Sequence, residues 1–289
     1  MIDYNPKTWF ALVFDMYSRH VLKVLLPLLL FIGLFSTTFV FIVHDVLRYH
    51  YSGTITIHSI LGIILGLFLV FRTNTAYDRW WEGRKLWGQL VNDTRMLAIK
   101  LNNFLPVQDR ESAVLFQQMI SNLTYSLKEH LRDSRKIGEE EYEDLQLRES
   151  VIRAAHRPNK IVNLLYQQVV QLKREGIISH EQLIILDKEL KSFADIIGAC
   201  ERIKSTPIPY SYSMFIKKFV FIFSITLPVS FVWEFAYWTV PIVMLIFYFL
   251  VSVELISEEI EDPFGGDIND LPLLQLCDKI KANVTEIFE

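Results

Sequence analysis

Ile60-Leu61-Gly62-Ile63-Ile64-Leu65-Gly66-Leu67-Phe68-Leu69-Val70-Phe71-Arg72-Thr73-Asn74-Thr75-Ala76-Tyr77-Asp78-Arg79-Trp80-Trp81-Glu82 is the stretch that decides the fold. From Thr54 to Phe71 no side chain is charged at neutral pH, and those 18 residues reach roughly 27 Å as a helix, close to the thickness of a hydrocarbon core. Arg72, Asp78, Arg79, Trp80, Trp81 and Glu82 follow at once. Charge mixed with tryptophan at the end of an apolar helix marks a membrane–water interface. The reading is a helix that crosses a bilayer and continues into a charged domain.

Working outward, three more apolar segments stand out: Val24 to Val43, Phe219 to Trp233 and Tyr237 to Val253. The Phe219 segment is short, but Lys217 and Lys218 can snorkel and let the helix begin near Tyr212. A tight Glu234–Tyr237 link makes the last two a helical hairpin, with Pro228 and Pro241 as expected kinks. An even number of spans puts both termini on one side. The connections His44–Gly53 and Glu234–Tyr237 carry only Arg48 as a basic residue, whereas Arg72, Arg79, Arg84, Lys85, Arg95 and Lys100 crowd the other side. Basic residues stay cytoplasmic, so the termini and the Arg72–Pro209 domain are expected there. The sequons at Asn92, Asn122 and Asn283 are then discounted.

The expected division is residues 1–23 as an N-terminal cytoplasmic segment, 24–71 as the first two spans and 72–210 as a cytoplasmic helical domain. Residues 211–256 hold the last two spans and 257–289 a C-terminal cytoplasmic segment. Asp3, Pro6 and Lys7 interrupt Met1–Phe10, so a cleaved signal peptide is not expected. In the central domain Leu115, Met119, Ile120, Leu123 and Leu127 recur at helical spacing, as do Ile161, Leu164, Leu165, Val169 and Leu172. Gly176 closes the second of these helices. Ser179 with Gln182 three residues on forms a capping box for a helix carrying Leu183, Leu186, Leu190, Phe193 and Ile197. Arg132 to Arg148 is dense in charge and reads as a solvated loop or helical face.

A net charge of −4 gives no basic footprint for nucleic acid. No phosphate-binding glycine loop or His-Glu-x-x-His occurs, and the histidines never sit at ligand spacing, so neither cofactor nor enzyme activity is expected. Cys200 and Cys277 are read as reduced packing residues. Asp262, Asp267 and Asp270 present oxygen ligands that suit calcium, yet Asp and Asn also cap helices and shape turns around Pro263 and Gly265. The twelve-residue calcium-loop pattern is incomplete, which favours the turn. In the second span Ile63, Leu67 and Phe71 fall on one helical stripe, and Gly62 with Gly66 form a row of the kind that lets helices approach closely. Periodicity alone favours ordinary lipid-facing or bundle-packing surface over a row exposed to a central axis.

Three motifs in order are similar to those of a bacterial bestrophin, over nearly the whole chain. Arg79-Trp80-Trp81-Glu82 resembles the family's Arg-Trp-Trp motif. Glu201-Arg202-Ile203-Lys204-Ser205-Thr206-Pro207-Ile208-Pro209 resembles the lead-in to the third span, and Glu261-Asp262-Pro263-Phe264-Gly265 with Asp267, Asn269 and Asp270 the acidic Pro-Phe-Gly segment. The resemblance implies an all-α membrane protein with four transmembrane helices per subunit, a helical cytoplasmic domain and a homopentamer around a central pore. Counting back from Arg79-Trp80, it puts a hydrophobic neck on Ile63, Leu67 and Phe71, the stripe already noted. It puts a cytoplasmic constriction near the helix after Gly176, on Ile177 or Glu181. The implied partners are further copies of the chain, membrane lipid and permeant small monovalent ions, in a bacterial inner membrane. Animal members carry mainly aromatic necks; here only Phe71 is aromatic, and five Glu181 carboxylates would favour cations. Chloride conduction, as in the animal proteins, is the alternative, and a membrane-anchored scaffold a more distant one. The animal calcium clasp uses an amide where Glu259 stands and an acid where Gly266 stands, so calcium gating is not expected.

Overall fold

The computed structural model of the protein describes residues 16–48, 55–134, 140–142 and 144–289, with side chains from residue 23 onward. Met1–Phe10, the side chains of Arg19 and His20, Thr54 and residues 49–53 of the first connection lie outside the described residues. The described backbone is helical, with no strand among the described residues. In chain order the helices are α1 Met16–Val40, α2 Ile55–Phe104, α3 Arg110–Leu131, α4 Leu145–Ile152 and α5 Arg157–Arg174. They continue as α6 His180–Ser205, α7 Tyr210–Phe235, α8 Thr239–Glu261 and α9 Leu273–Phe288. The chain divides into two compact units, one of Pro207–Glu261 with the chain up to Arg79, the other of Trp80–Thr206 with Asp262–Glu289.

Among the described residues three helical stretches are long and apolar enough to cross a membrane: Lys23–Leu47, Ile55–Phe104, whose apolar part lies in the first unit, and Tyr210–Glu261. The third is not one straight rod. Ala236 takes φ 46°, a left-handed value that a side chain tolerates poorly, and a 3₁₀ turn at Ala236–Trp238 follows. Lys217 at the start of α7 then pairs with Glu258 near the end of α8 at 3.0 Å, which shows that the chain doubles back as a hairpin. Pro228 lies within α7. Pro241, expected to kink its helix, instead stands in the first turn of α8, where its missing N–H costs no bond. α1 ends in a π-helical turn, Phe41–Leu47, that nothing in the apolar pattern signals. Leu25, Leu29, Ile32, Leu65, Leu69, Ile216, Val220, Phe223, Leu227, Val243 and Phe247 form the core between α1, α2, α7 and α8. Polar cross-links set the register: His58 shares hydrogen bonds with Thr226 (3.0 Å) and Ser230 (2.6 Å), and Thr73 with Ser257 (3.0 Å).

The second unit is built around α3. Periodicity points to a stripe, but every residue from Met119 to Lys128 is buried, because α5, α6 and α9 pack around it. Most of its polar groups find partners there, although the Ser126 hydroxyl makes no hydrogen bond. Asn122 exchanges two bonds with the Glu141 backbone, 2.6 and 3.0 Å, so this sequon asparagine is an internal residue. Tyr125 donates to Asp278 at 2.7 Å. α5 closes at Gly176, φ 78°, where Ile177 N–H reaches back to the Leu172 carbonyl at 2.9 Å, the six-residue closure that a left-handed glycine permits. The Ser179–Gln182 capping box at the start of α6 is complete in both directions. Cys200 and Cys277 are free and buried, and burial pushes the Cys200 thiol up to about 12. The charged segment before α4 is less solvated than its composition implies: Tyr142 packs against the core and donates to Glu140 at 3.2 Å, whose carboxyl burial raises.

Candidate functional site

α2 carries the expected neck residues on its open face. Ile63, Leu67 and Phe71 are 74%, 55% and 55% exposed, large apolar side chains left mostly uncovered. Ile60, Ile64 and Val70 are exposed as well, so the open arc is wider than one stripe. The opposite face is sealed: Leu65, Leu69, Arg72 and Ala76 are buried. Of the two glycines, Gly62 lies under the Phe223 ring, where a Cβ would touch it at 3.4 Å, while nothing stands within 4 Å of a Cβ at Gly66. The close approach at Gly62 is therefore internal to the chain, and Gly66 faces open space.

Arg72, one residue past Phe71, turns inward. It is 1% exposed, 2.7 Å from Glu261 and 3.7 Å from Glu254, so α8 neutralises its charge within the same chain. Glu261 also accepts the Ile208 N–H at 2.6 Å, which ties the loop before α7 to the same carboxylate. Sequence reading passed over this cluster because Arg72 looks like one more interfacial cation.

Arg79-Trp80-Trp81-Glu82 does more than mark an interface. Arg79 donates to the Glu261 carbonyl at 3.1 Å. Trp80 donates its indole N–H to the Asn269 carbonyl at 3.0 Å and stacks on Trp81, which is exposed. Glu82 pairs with Arg202 at 3.3 Å on the surface. A Cβ on Gly83 would stand 3.1 Å from both Pro263 and Phe264, so this helix and the acidic Pro-Phe-Gly turn touch backbone to ring. Arg132 adds a bond to the Phe264 carbonyl at 3.2 Å. Two motifs separated by some 180 positions in the chain are one packed assembly.

Within that turn Asp270 is 2% exposed. It accepts the Asp267 N–H at 2.6 Å, and its other oxygen is unpartnered. Burial raises its carboxyl to about 6. Asp262 accepts the Phe264 N–H at 3.3 Å. The three carboxylates do not gather one oxygen each around a point, as the sole convergent ligand group among the described residues lies elsewhere. The bonds they make are those of a hydrogen-bonded turn.

At the start of α6, Ile177 is half-buried and packs on the core. Glu181 is exposed; the Ser179 hydroxyl donates to it at 2.7 Å, and this bond with the first-turn backbone N–H holds its carboxyl below the ordinary value. It is thus a firmly ionised group at the helix mouth. One turn on, Ile184 and Ile185 are 60% and 45% exposed, an apolar pair that the capping argument did not single out. The structure also joins what linear spacing kept apart: His130, His156 and Glu201 converge from three helices.

Comparison with known proteins follows the same lines. The family model described as Bacterial/Fungal Bestrophin protein matches residues 1–286. A protein of Ralstonia nicotianae named voltage-dependent anion channel-forming protein is 34% identical over 287 residues, covering 96% of this chain and 92% of that one. A protein of the same name from Escherichia coli K12 is 31% identical over 291 residues, covering 99% and 94%. The crystal structure of a variant of a bacterial bestrophin homolog from Klebsiella pneumoniae superposes with a TM-score of 0.82 at 28% identity, covering 92% of this chain and 99% of that one. With a whole-length family match, whole-length relatives and the same helical architecture, the chain belongs to the bestrophin family, in its bacterial and fungal branch.

Proposed function

We propose that the chain is one subunit of a passive ion channel, five copies of which enclose a pore lined by α2. The observation that carries this reading is the row Ile63, Leu67 and Phe71, exposed on a helix whose opposite face is sealed. A ring of such side chains passes ions when hydrated and blocks them when it dewets. α1, the apolar part of α2, α7 and α8 are the four crossings, within residues 24–71 and 211–256. Residues 1–23, 72–210 and 257–289 face the cytoplasm of a bacterial inner membrane, and lipid covers the remaining apolar surface. Gly66, open in the single subunit, receives the neighbouring copy.

For selectivity, Glu181 supports a preference for small monovalent cations. Its carboxylate is exposed and held ionised, and with Ile177 it stands at the cytoplasmic constriction; five such groups form an anionic ring. Arg72 does not offset them, because its charge is neutralised inside the subunit. A second reading, anion conduction, is favoured by the names of the relatives, which are called anion channel-forming proteins. The reversal potential of the purified protein in planar bilayers under a potassium chloride gradient separates the two. A value near the potassium limit is expected; one near chloride's establishes the anion reading, and no ion flux at all removes the channel.

A further inference from the structure

The helical unit holds a compact set of nitrogen and oxygen donors that neither the pore nor the motifs use. His130 lies in the last turn of α3, His156 is the N-cap of α5, and Glu201 lies near the end of α6. The Nε2 atoms of His130 and His156 each stand 2.6 Å from the same oxygen, Oε1 of Glu201. The two rings face one another with centroids 4.5 Å apart, and all three donor atoms fall within 4.8 Å of one another. Each side chain is about one-third exposed, so the cluster is walled by helices on one side and open to solvent on the other.

We propose that His130, His156 and Glu201 form a binding site for a borderline divalent transition metal of the zinc class. Two imidazoles and one carboxylate are a donor set that suits zinc and its neighbours, while calcium and magnesium require oxygen. The open side supplies a fourth position for water, as a tetrahedral ion with three protein ligands needs. Metal–ligand distances near 2.0–2.2 Å place tetrahedral donors about 3.3 Å apart. The 2.6 Å contacts are those of the metal-free hydrogen-bonded state, and they open by about 0.7 Å when the ion replaces the shared protons. The rings, about one-third exposed, have room for that movement.

The local bonds set the proton bookkeeping. His156 Nδ1 accepts the Asn159 N–H at 3.2 Å, so in the metal-free protein its proton is on Nε2, directed at Glu201. Metal at Nε2 moves that proton to Nδ1 and releases this one exposed cap bond. A neighbouring cation, Lys204, bonds the His130 carbonyl at 3.2 Å and is already countered by Asp133 at 2.5 Å. The bound ion would pin the end of α3 to the start of α5 and the end of α6, adding a three-helix cross-link to the apolar packing and the Lys204 bonds that already join them. This holds whether or not the protein conducts ions.

The test is zinc titration of the purified full-length protein by calorimetry, with cobalt(II) as the spectroscopic probe. The expected result is one equivalent of saturable zinc per chain, a rise in melting temperature, and cobalt d–d bands of a four-coordinate nitrogen–oxygen site. His130→Gln with His156→Gln keeps a side-chain donor facing Glu201 while removing both imidazoles. In that variant affinity falls by more than about 100-fold, beyond what outer-shell partners contribute, with the metal-free melting temperature little changed. Three outcomes overturn the site: no saturable zinc binding by the native protein, the same equivalent retained by the double variant, or a cobalt spectrum with sulfur-to-metal charge transfer.

Discussion

Arg72 Nη2 lies 2.7 Å from Glu261 and is buried, although its neighbour Phe71 faces outward from the same turn of α2. A helix advances about 100° per residue, so α2 aims an apolar group out and its cation in within a single step. Removing one partner of a buried pair leaves an uncompensated charge and costs far more than the pair contributes. Glu261→Gln is therefore expected to destabilise the detergent-solubilised protein by on the order of 3 kcal/mol. Glu258→Gln, which breaks the half-exposed Lys217 pair, should cost less than about 1 kcal/mol. Equal shifts in melting temperature for the two would show that Arg72 is held by something other than Glu261.

Leu65 and Leu67 stand two residues apart on α2 and have opposite surroundings, one fully buried and the other 55% exposed. Leu65→Ala leaves a cavity among α1, α7 and α8 and is expected to cost about 2 kcal/mol or more. Leu67→Ala creates no internal cavity, and in a channel it should widen the neck and raise single-channel conductance with little loss of stability. An unchanged conductance would take Leu67 out of the pore.

Gly83→Ala puts a methyl group 3.1 Å from Pro263 and Phe264, and the turn must shift to admit it, at a cost of about 1–3 kcal/mol. Gly198→Ala in α6 meets nothing within 4 Å and is expected to gain up to about 1 kcal/mol from helix propensity. Chemical denaturation of both variants checks the pair. A neutral Gly83→Ala would mean that the two motifs do not rely on their close packing.

What was legible in the chain before its structure was whatever a local period records. The apolar spans, the Ser179–Gln182 box and the Gly176 closure follow from spacing within one or two turns. The contacts that join distant residues left no such trace. Arg72 and Glu261 are 189 positions apart, and an arginine just past an apolar run looks the same whether it faces water or a buried acid. His130, His156 and Glu201 meet only because α3, α5 and α6 pack side by side, so no linear spacing marks them. The full burial of Met119–Lys128 was masked for the same reason: Ser121, Asn122, Thr124 and Lys128 read as a solvent face until neighbouring helices enclose them. The Asp262, Asp267 and Asp270 cluster was visible as an acidic run, but only the backbone shows that its oxygens serve N–H groups of the turn.

Asp270 makes the stability of that turn depend on pH. Its carboxyl is raised from 3.8 to about 6, chiefly by burial, so the folded protein holds the proton more tightly than the unfolded chain. The resulting stabilisation is complete below about pH 4 and fades as pH rises through about 6. Between those values the unfolded state binds fewer protons than the native one, and this group's contribution falls with pH. Asp270→Asn retains an acceptor for the Asp267 N–H and cannot ionise. It is expected to be more stable than the native protein at pH 8 and to flatten the slope between pH 4 and 6 in denaturation midpoints. An unaltered slope would assign that pH dependence to other groups.

Glu181 is both a first-turn acid of α6 and the carboxylate assigned to the constriction, and one substitution separates the two roles. As a helix acid it is stabilised by the helix dipole and by the Ser179 hydroxyl. Glu181→Gln keeps the shape and an oxygen acceptor for that hydroxyl while removing the charge, so melting temperature should move little. If five carboxylates ring the pathway, the reversal potential under a potassium chloride gradient should move toward the chloride limit in this variant, by more at low ionic strength than at high, because mobile ions screen an exposed ring. A reversal potential that stays in place at every salt concentration would leave Glu181 with its helix-capping role alone and move the selectivity element elsewhere along the pore.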